Sequence, residues 1–167
     1  MSDGADLSEH GFIGALFGED ELGVVIRAHI NIEARLLELL ELRVVDPKHL
    51  ERMDLDFGQR VNLAVALGLK PEHAPALRAL GSLRNAFAHR LDTLLTEDRV
   101  NNLYEALSAG DKEVVQTAYE RTKAEMQGPD SPFKALSPKT RFILISVALR
   151  SLLVAAIREV GARRKSV

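Results

Sequence analysis

The chain has 167 residues, a length that favours one domain with a substantial hydrophobic core over two folding units. It contains no cysteine, which excludes a disulfide framework, a zinc ribbon and thiol catalysis and is typical of a reducing compartment. With 22 basic and 24 acidic residues the net charge is -2, so broad electrostatic attraction to nucleic acid is not expected and any such contact must be local.

Apolar residues recur at spacings of three and four, whereas alternating runs of the kind that form strands are absent. The pattern predicts an all-α fold in one domain, residues 1–167, with residues 1–19 as an N-terminal arm or a short helix. Longer helices are expected over residues 20–44, 55–67, 71–90, 96–108, 111–126 and 138–160. The first of them is expected to bury a stripe of apolar residues: Leu22, Val25, Ile26, Ile30, Leu36, Leu37 and Leu40.

Residues that cap or break helices mark the limits of these elements. Gly68 is expected to end the second long helix, and Asp111 is expected to cap the fifth. Residues 127–136 contain Gly128, Pro129 and Pro132, and they predict a flexible loop before the last helix.

The last helix carries apolar residues around more than one face, from Phe142 to Ile157. Such a band predicts either a helix at the centre of the bundle or a surface that binds a second copy, and we expect a homodimer. Arg150 interrupts the band, which is too short to span a bilayer, so no membrane association is expected. The acidic N-terminus lacks the pattern of a secretion signal, and the expected location is the cytoplasm.

The most distinctive motif is the segment 83–90, Leu-Arg-Asn-Ala-Phe-Ala-His-Arg, in which an Arg-Asn pair precedes a single histidine on a helix. A guanidinium can neutralise developing charge on a phosphodiester while an imidazole moves the proton, without a metal. On a helical wheel Arg84 lies at the border of the core and needs either a ligand or a carboxylate, with Glu33 the first candidate. Arg84 and His89 are about 140° apart on an ideal helix, which favours a site shared between two subunits.

The other face of this helix is expected to be open to solvent or to a partner, and it carries Arg78, Ser82, Asn85 and His89. A simpler interpretation is that Arg84 pairs with an acid of the first helix while the neighbouring polar residues are only solvated.

The four other histidines do not form a recognisable metal-binding pattern. His29 and Glu33 lie one helical turn apart, and a hydrogen bond along the helix is expected there. His10, His49 and His73 fall in terminal or connecting segments and are expected to be solvated.

The stretch 57–69, Phe-Gly-Gln-Arg-Val-Asn-Leu-Ala-Val-Ala-Leu-Gly-Leu, followed by residues 83–89, resembles the mannitol operon repressor family of the HEPN superfamily of helical domains. Residues 141–144, Arg-Phe-Ile-Leu, at the start of a long apolar helix are also similar, so the resemblance extends over roughly residues 22–157. It implies a HEPN-like helical bundle with additional C-terminal helices.

Many HEPN proteins cleave RNA without a metal ion through an arginine and a histidine separated by a few residues, and Arg84, Asn85 and His89 match that motif. The resemblance implies that His89 exchanges a proton with the ribose 2′-OH or the leaving oxygen. Arg84 would stabilise the charged phosphorane, and Asn85 would orient the substrate or the histidine. Four further residues are expected to support the site: Glu33, Arg78, Ser82 and Arg90. No cofactor and no metal are implied.

Two functions from different classes are compatible with these observations. The first is a HEPN-type RNA-binding regulator or metal-independent endoribonuclease, a class that includes toxin and defence components held in check by an antitoxin or another protein partner. The alternative is a non-catalytic transcriptional regulator of the mannitol operon repressor type that acts through protein–protein contacts. No helix-turn-helix pattern is visible, so direct DNA binding is not expected.

Overall fold

The computed structural model describes residues 9–90, 93–126 and 131–165. Within them the chain forms eight α-helices and no strand, which confirms the all-α fold. The helices are α1 (Glu9–Phe17), α2 (Glu21–Arg43), α3 (Pro47–Glu51), α4 (Phe57–Ala66), α5 (Ala74–His89), α6 (Glu97–Glu105), α7 (Ala109–Met126) and α8 (Pro138–Lys165). Short 3₁₀ turns at Pro71–His73 and Phe133–Ala135 precede α5 and α8.

Side-chain caps fix the starts of two of the helices that line the candidate site, α2 and α4. At α2, Asp20 Oδ1 accepts a hydrogen bond of 2.6 Å from the backbone N–H of Gly23. At α4, Asp56 and Gln59 each accept the backbone N–H of the other, at 2.8 and 2.9 Å, which forms a capping box. These caps satisfy backbone donors that a helix start leaves free, and they explain why the sequence locates both starts to within two residues.

The start of α7 differs from the prediction. The helix begins at Ala109, and Ser108 Oγ accepts the backbone N–H of Asp111 at 3.1 Å. Asp111 is therefore not the cap. It lies in the first turn with its side chain inside the protein, where the residue is 1% exposed.

Helix α8 is at the centre of the fold. Residues 142–149 are all buried, and α1, α2, α6 and α7 pack against this helix. Its wide apolar band is accounted for within one chain, so the band by itself is no argument for a homodimer. Helix α2 packs along α8 and also contacts α4 and α5, and in this way it joins the central helix to the segment with the motif.

The buried face of α2 is wider than the predicted stripe. Leu22 and Ile30, which the sequence predicts in the core, are 46% and 60% exposed. The apolar residues that α2 does bury are Val24, Val25, Ala28, Ile32, Leu36, Leu39 and Leu40. Because α2 contacts α8 as well as α4 and α5, its buried surface extends beyond one stripe and includes the polar residues His29 and Asn31.

Of the two forms predicted for residues 1–19, the short helix is present within residues 9–19, and residues 1–8 lie outside the described residues. Helix α1 buries Phe12 and Leu16 and packs against α8 and α2. Lys139, at the start of α8, donates hydrogen bonds to the backbone carbonyls of Phe17 and Glu19, which holds the end of α1 against the bundle.

The second half of the predicted flexible loop is packed against the protein. Residues 127–130 of that loop lie outside the described residues. Phe133 is buried, and its ring contacts those of Tyr104 and Tyr119 at centroid distances of 5.2 and 6.1 Å. The Tyr119 hydroxyl also donates to the backbone carbonyl of Ser131. Aromatic contacts therefore anchor the chain just before α8.

Helix α8 has 28 residues and is longer than the sequence predicts. In the described part of the chain it is the one helix, over Pro138–Ala162, that is long and apolar enough to cross a membrane by length and composition. Of its apolar window, 56% is buried inside the protein, and the core helices of soluble proteins pass the same test. Packing in the core accounts for the composition of α8.

Candidate functional site

The motif lies in the C-terminal half of α5, and this helix has the two faces that the sequence predicts. The buried face contains Ala76, Leu80, Leu83 and Phe87. The exposed face contains Arg78, Ser82, Asn85 and His89. The polar side chains are therefore held on a rigid helix whose other side is fixed in the core.

An open cleft of about 540 Å³, here called the α5 cleft, lies between α5, α2 and the start of α4. It brings together five of the predicted site residues: Glu33, Arg78, Ser82, Arg84 and Asn85. Its polar lining also includes His29 and Asp56, and its wall includes Phe57. Two guanidinium groups thus share a solvent-open cleft with two carboxyl groups.

Arg84 has no carboxylate partner among the residues that the structure describes. Its Nη1 donates to Asn85 Oδ1 at 3.1 Å, and the side chain is half-buried. The predicted ion pair between Arg84 and Glu33 is absent, because Glu33 Oε1 accepts from Arg60 Nη1 of α4 at 2.5 Å. The guanidinium of Arg84 therefore remains available to an anion that enters the cleft.

Arg78 is held at the edge of the cleft by the neighbouring helix. Its Nη2 donates to Asn62 Oδ1 of α4 at 2.5 Å. A single amide acceptor does not neutralise the guanidinium, so Arg78 adds positive charge at a fixed position beside Ser82.

His29 also lines the cleft, although the sequence predicts for it only a hydrogen bond to Glu33 along the helix. It is 3% exposed, and its ring contacts that of Phe57 at 4.4 Å. Its Nδ1 lies 3.8 Å from Glu33 Oε2, too far for the hydrogen bond expected along the helix. Its Nε2 is buried without a hydrogen-bond partner within the described ranges.

Burial is the main cause that lowers the pKa of His29 below its ordinary value of 6.5. The positive charges of Arg84 and Arg60 lower this pKa further, while Glu33 opposes them. A neutral imidazole is therefore the form that the folded protein favours at neutral pH. The burial of His29 could have been inferred from the sequence by its spacing. It lies four residues after Val25 and seven before Leu36, which both belong to the predicted buried stripe of α2.

This lowered pKa predicts a pH dependence of stability. The unfolded chain binds a proton at His29 more readily than the folded chain, so the free energy of unfolding falls as the pH drops from about 7 to about 5. We expect His29→Gln to show a shallower fall in urea unfolding at the two pH values. His49→Gln is the matched control, because the His49 side chain is 72% exposed. Equal pH dependence in wild type and His29→Gln would contradict the assignment.

The wall of the cleft depends on the absence of a side chain at Gly81. A Cβ at this position would lie 2.8 Å from Phe57 Cδ1, and Phe57 cannot move without disturbing the ring of His29. We expect Gly81→Ala to lower the free energy of unfolding by about 1–3 kcal/mol in chemical denaturation. Gly14→Ala in α1 meets no atom within 4 Å, so it should be neutral or stabilise by up to about 1 kcal/mol. Similar losses in both variants would rule out a specific clash with Phe57.

His89 and Arg90 are not part of the α5 cleft. His89 is the exposed last residue of α5, and Arg90 follows it in extended backbone conformation. The helix continues through His89, so His89 and Arg84 keep the angular separation of about 140° that five helical residues impose. One chain therefore does not direct both side chains to one phosphate group.

Of the three other histidines, His49 and His73 can be compared with the prediction, whereas the side chain of His10 lies outside the described part of the structure. His49 is exposed as predicted, whereas His73 is mostly buried and contacts Asp111, so its predicted solvation is wrong. Across the described residues, no group of three or more His, Asp or Glu side chains has an arrangement that could hold a metal ion.

No family model, no curated protein and no solved structure matches this chain.

Proposed function

We propose that this protein is a HEPN-type RNA-binding protein that cleaves RNA without a metal ion. The observation that carries the proposal is Arg84, whose guanidinium lines an open cleft beside Asn85 and lacks a carboxylate partner in the described residues. The guanidinium of Arg84 faces an open cleft, and its planar set of donors fits a phosphodiester. Arg78 and Ser82, on the same helix, extend the contact along an RNA backbone.

The proposed chemistry uses side chains alone. His89 removes the proton from a ribose 2′-OH, O2′ attacks the adjacent phosphorus, and the bond from phosphorus to O5′ breaks. The imidazolium of His89 that results then returns this proton to the leaving O5′. Arg84 donates hydrogen bonds to the non-bridging oxygens and stabilises the charge that develops on them. Asn85 accepts from Arg84 and thereby orients its guanidinium. The products are a 2′,3′-cyclic phosphate and a 5′-hydroxyl.

The reacting phosphate is proposed to lie between two copies of the chain. Since Arg84 and His89 of one copy diverge by about 140°, His89 of a second copy would complete the site in a homodimer. The exposure of His89 at the end of α5 supports this arrangement, because its side chain can extend beyond its own chain. Either RNA or a protein such as an antitoxin would approach the same exposed face of α5. We propose that this activity takes place in the cytoplasm.

The test is a cleavage assay on structured RNA in the presence of EDTA, with chemical identification of the product ends. We expect cleavage to survive EDTA, because both proton transfer and charge stabilisation come from side chains. The expected products are 2′,3′-cyclic phosphates or the monophosphates formed by their hydrolysis. Wild-type protein that leaves diverse RNAs uncut would contradict the enzymatic proposal.

A second candidate function is favoured by one observation, the position of His89 outside the α5 cleft. In this alternative the protein is a non-catalytic regulator of the mannitol operon repressor type that acts through protein–protein contacts. Its signature would be binding of a partner that Arg84→Gln weakens, with no RNA product in any condition.

A further inference from the structure

A second cleft lies where the end of α2, the connection between α4 and α5, the start of α7 and the later part of α8 meet. We call it the α2–α8 cleft. It has a volume of about 280 Å³ and shares no lining residue with the α5 cleft. Its walls combine apolar side chains, such as Leu39, Leu152 and Ala156, with six titratable residues: Arg43, Lys70, Glu72, His73, Asp111 and Glu159.

One wall of this cleft carries a histidine–aspartate pair. His73 Nδ1 lies 2.9 and 3.0 Å from the two oxygens of Asp111, whose side chain is 2% exposed. A buried carboxylate requires a donor, so the proton of His73 is held on Nδ1. His73 also lines the cleft, and with its proton on Nδ1 its Nε2 can accept a hydrogen bond from a ligand.

Arg43 supplies a positive charge to this cleft. Its Nε is buried without a hydrogen-bond partner, and its guanidinium forms no ion pair with any described residue. The group packs over Gly68, where a Cβ would lie 3.2 Å from Arg43 Nη1. Gly68 has a φ of 107°, so glycine both permits the backbone turn and leaves room for the guanidinium. Glu72 borders the same cleft without pairing with Arg43.

We infer that the α2–α8 cleft binds a small organic anion, independently of the proposed RNA site. Its oxyanion, a carboxylate or a phosphate monoester, pairs with Arg43, with Lys70 adding positive charge at the rim. The imidazole of His73 binds a second polar atom of the ligand. The apolar part of the ligand packs against Leu152 and Ala156.

Calorimetric titration with benzoate and with phenyl phosphate tests this site, and benzyl alcohol serves as the uncharged control. We expect saturable binding of at least one anion and none of the alcohol, and the preferred anion distinguishes a carboxylate from a phosphate ligand. Arg43→Gln should weaken binding about tenfold or more, because a charge-assisted pair is lost. Arg27→Gln is the control, because the Arg27 side chain is 56% exposed and lines neither cleft, and this variant should bind the anion as wild type does.

An independent readout is the NMR signal of the His73 ring in the wild-type protein, which should shift on saturation with the anion whatever the stability of the variants. Absence of saturable binding, binding of the alcohol as strong as that of the anions, or an unmoved His73 signal would overturn the inference. RNA cleavage does not enter either readout, so failure here leaves the proposed function untouched, and the reverse also holds.

Discussion

Replacing His89 with alanine is expected to lower RNA cleavage in EDTA by about 10²–10⁴-fold, the range that a positioned general acid or base contributes. The fold should be retained, because His89 is exposed at the end of α5 and substitutions at such positions change stability by about 0.5 kcal/mol or less. Initial rates on one structured RNA, with circular dichroism of each variant, measure both effects.

His49→Ala is the matched control for this experiment, since it removes another exposed imidazole from a different surface. It should cleave at the wild-type rate. Arg84→Gln should lose about 10²–10³-fold, because one group that stabilises the developing charge is removed while Asn85 and the cleft remain. Cleavage by His89→Ala at the wild-type rate would remove His89 from the mechanism.

The second large effect concerns the core of α2. Ile32 is fully buried, whereas Ile30, two residues earlier on the same helix, is 60% exposed. Ile32→Ala should lower the free energy of unfolding by about 2–5 kcal/mol, because it removes buried methylene and methyl groups and leaves a cavity. Ile30→Ala should change it by about 0.5 kcal/mol or less. Urea denaturation of both variants checks the difference.

Comparing the two variants tests which face of α2 is buried, because the substitution and the helix are the same in both. Comparable losses from Ile30→Ala and Ile32→Ala would mean that Ile30 is covered, either by another part of the chain or by a second copy. Such a result would restore the core that the sequence predicts for α2.

Local patterns in the sequence predict much of this fold. Capping residues such as Asp20 and Asp56 act within three residues of the chain, so the starts of α2 and α4 can be located without knowing what they pack against. The two faces of α5 follow from its spacing of apolar residues, and they place Leu83 inside and Asn85 outside. Interactions between residues that are close in sequence can therefore be predicted from the sequence alone.

Partners between helices were not predictable in the same way. The sequence offers Arg84 as a partner for Glu33, but the packing of α4 on α2 brings Arg60 to that carboxylate first. His73, in the 3₁₀ turn before α5, and Asp111, in the first turn of α7, are 38 residues apart, and only the folding of the chain makes them a pair. The sequence likewise suggests one stripe on α2, because nothing local indicates that several helices cover it.

The sequence predicts part of the candidate site in the same way. Arg84 and Asn85, with Arg78 and Ser82, lie in one cleft, as expected from residues that share a helix. His89 belongs to that helix but not to the cleft, because it lies about one turn beyond Asn85, at the last residue of α5. The cleft also includes His29, a position that the spacing from Glu33 did not indicate.

Co-expression of Arg84→Gln and His89→Ala chains tests most directly whether the site is shared between two subunits. Each variant alone should be nearly inactive. If Arg84 of one copy acts with His89 of the other, a mixed dimer keeps one intact site of two, and random pairing restores about a quarter of the wild-type cleavage rate. Failure of the co-expressed chains to recover cleavage, with wild-type protein active in the same assay, would contradict the shared site.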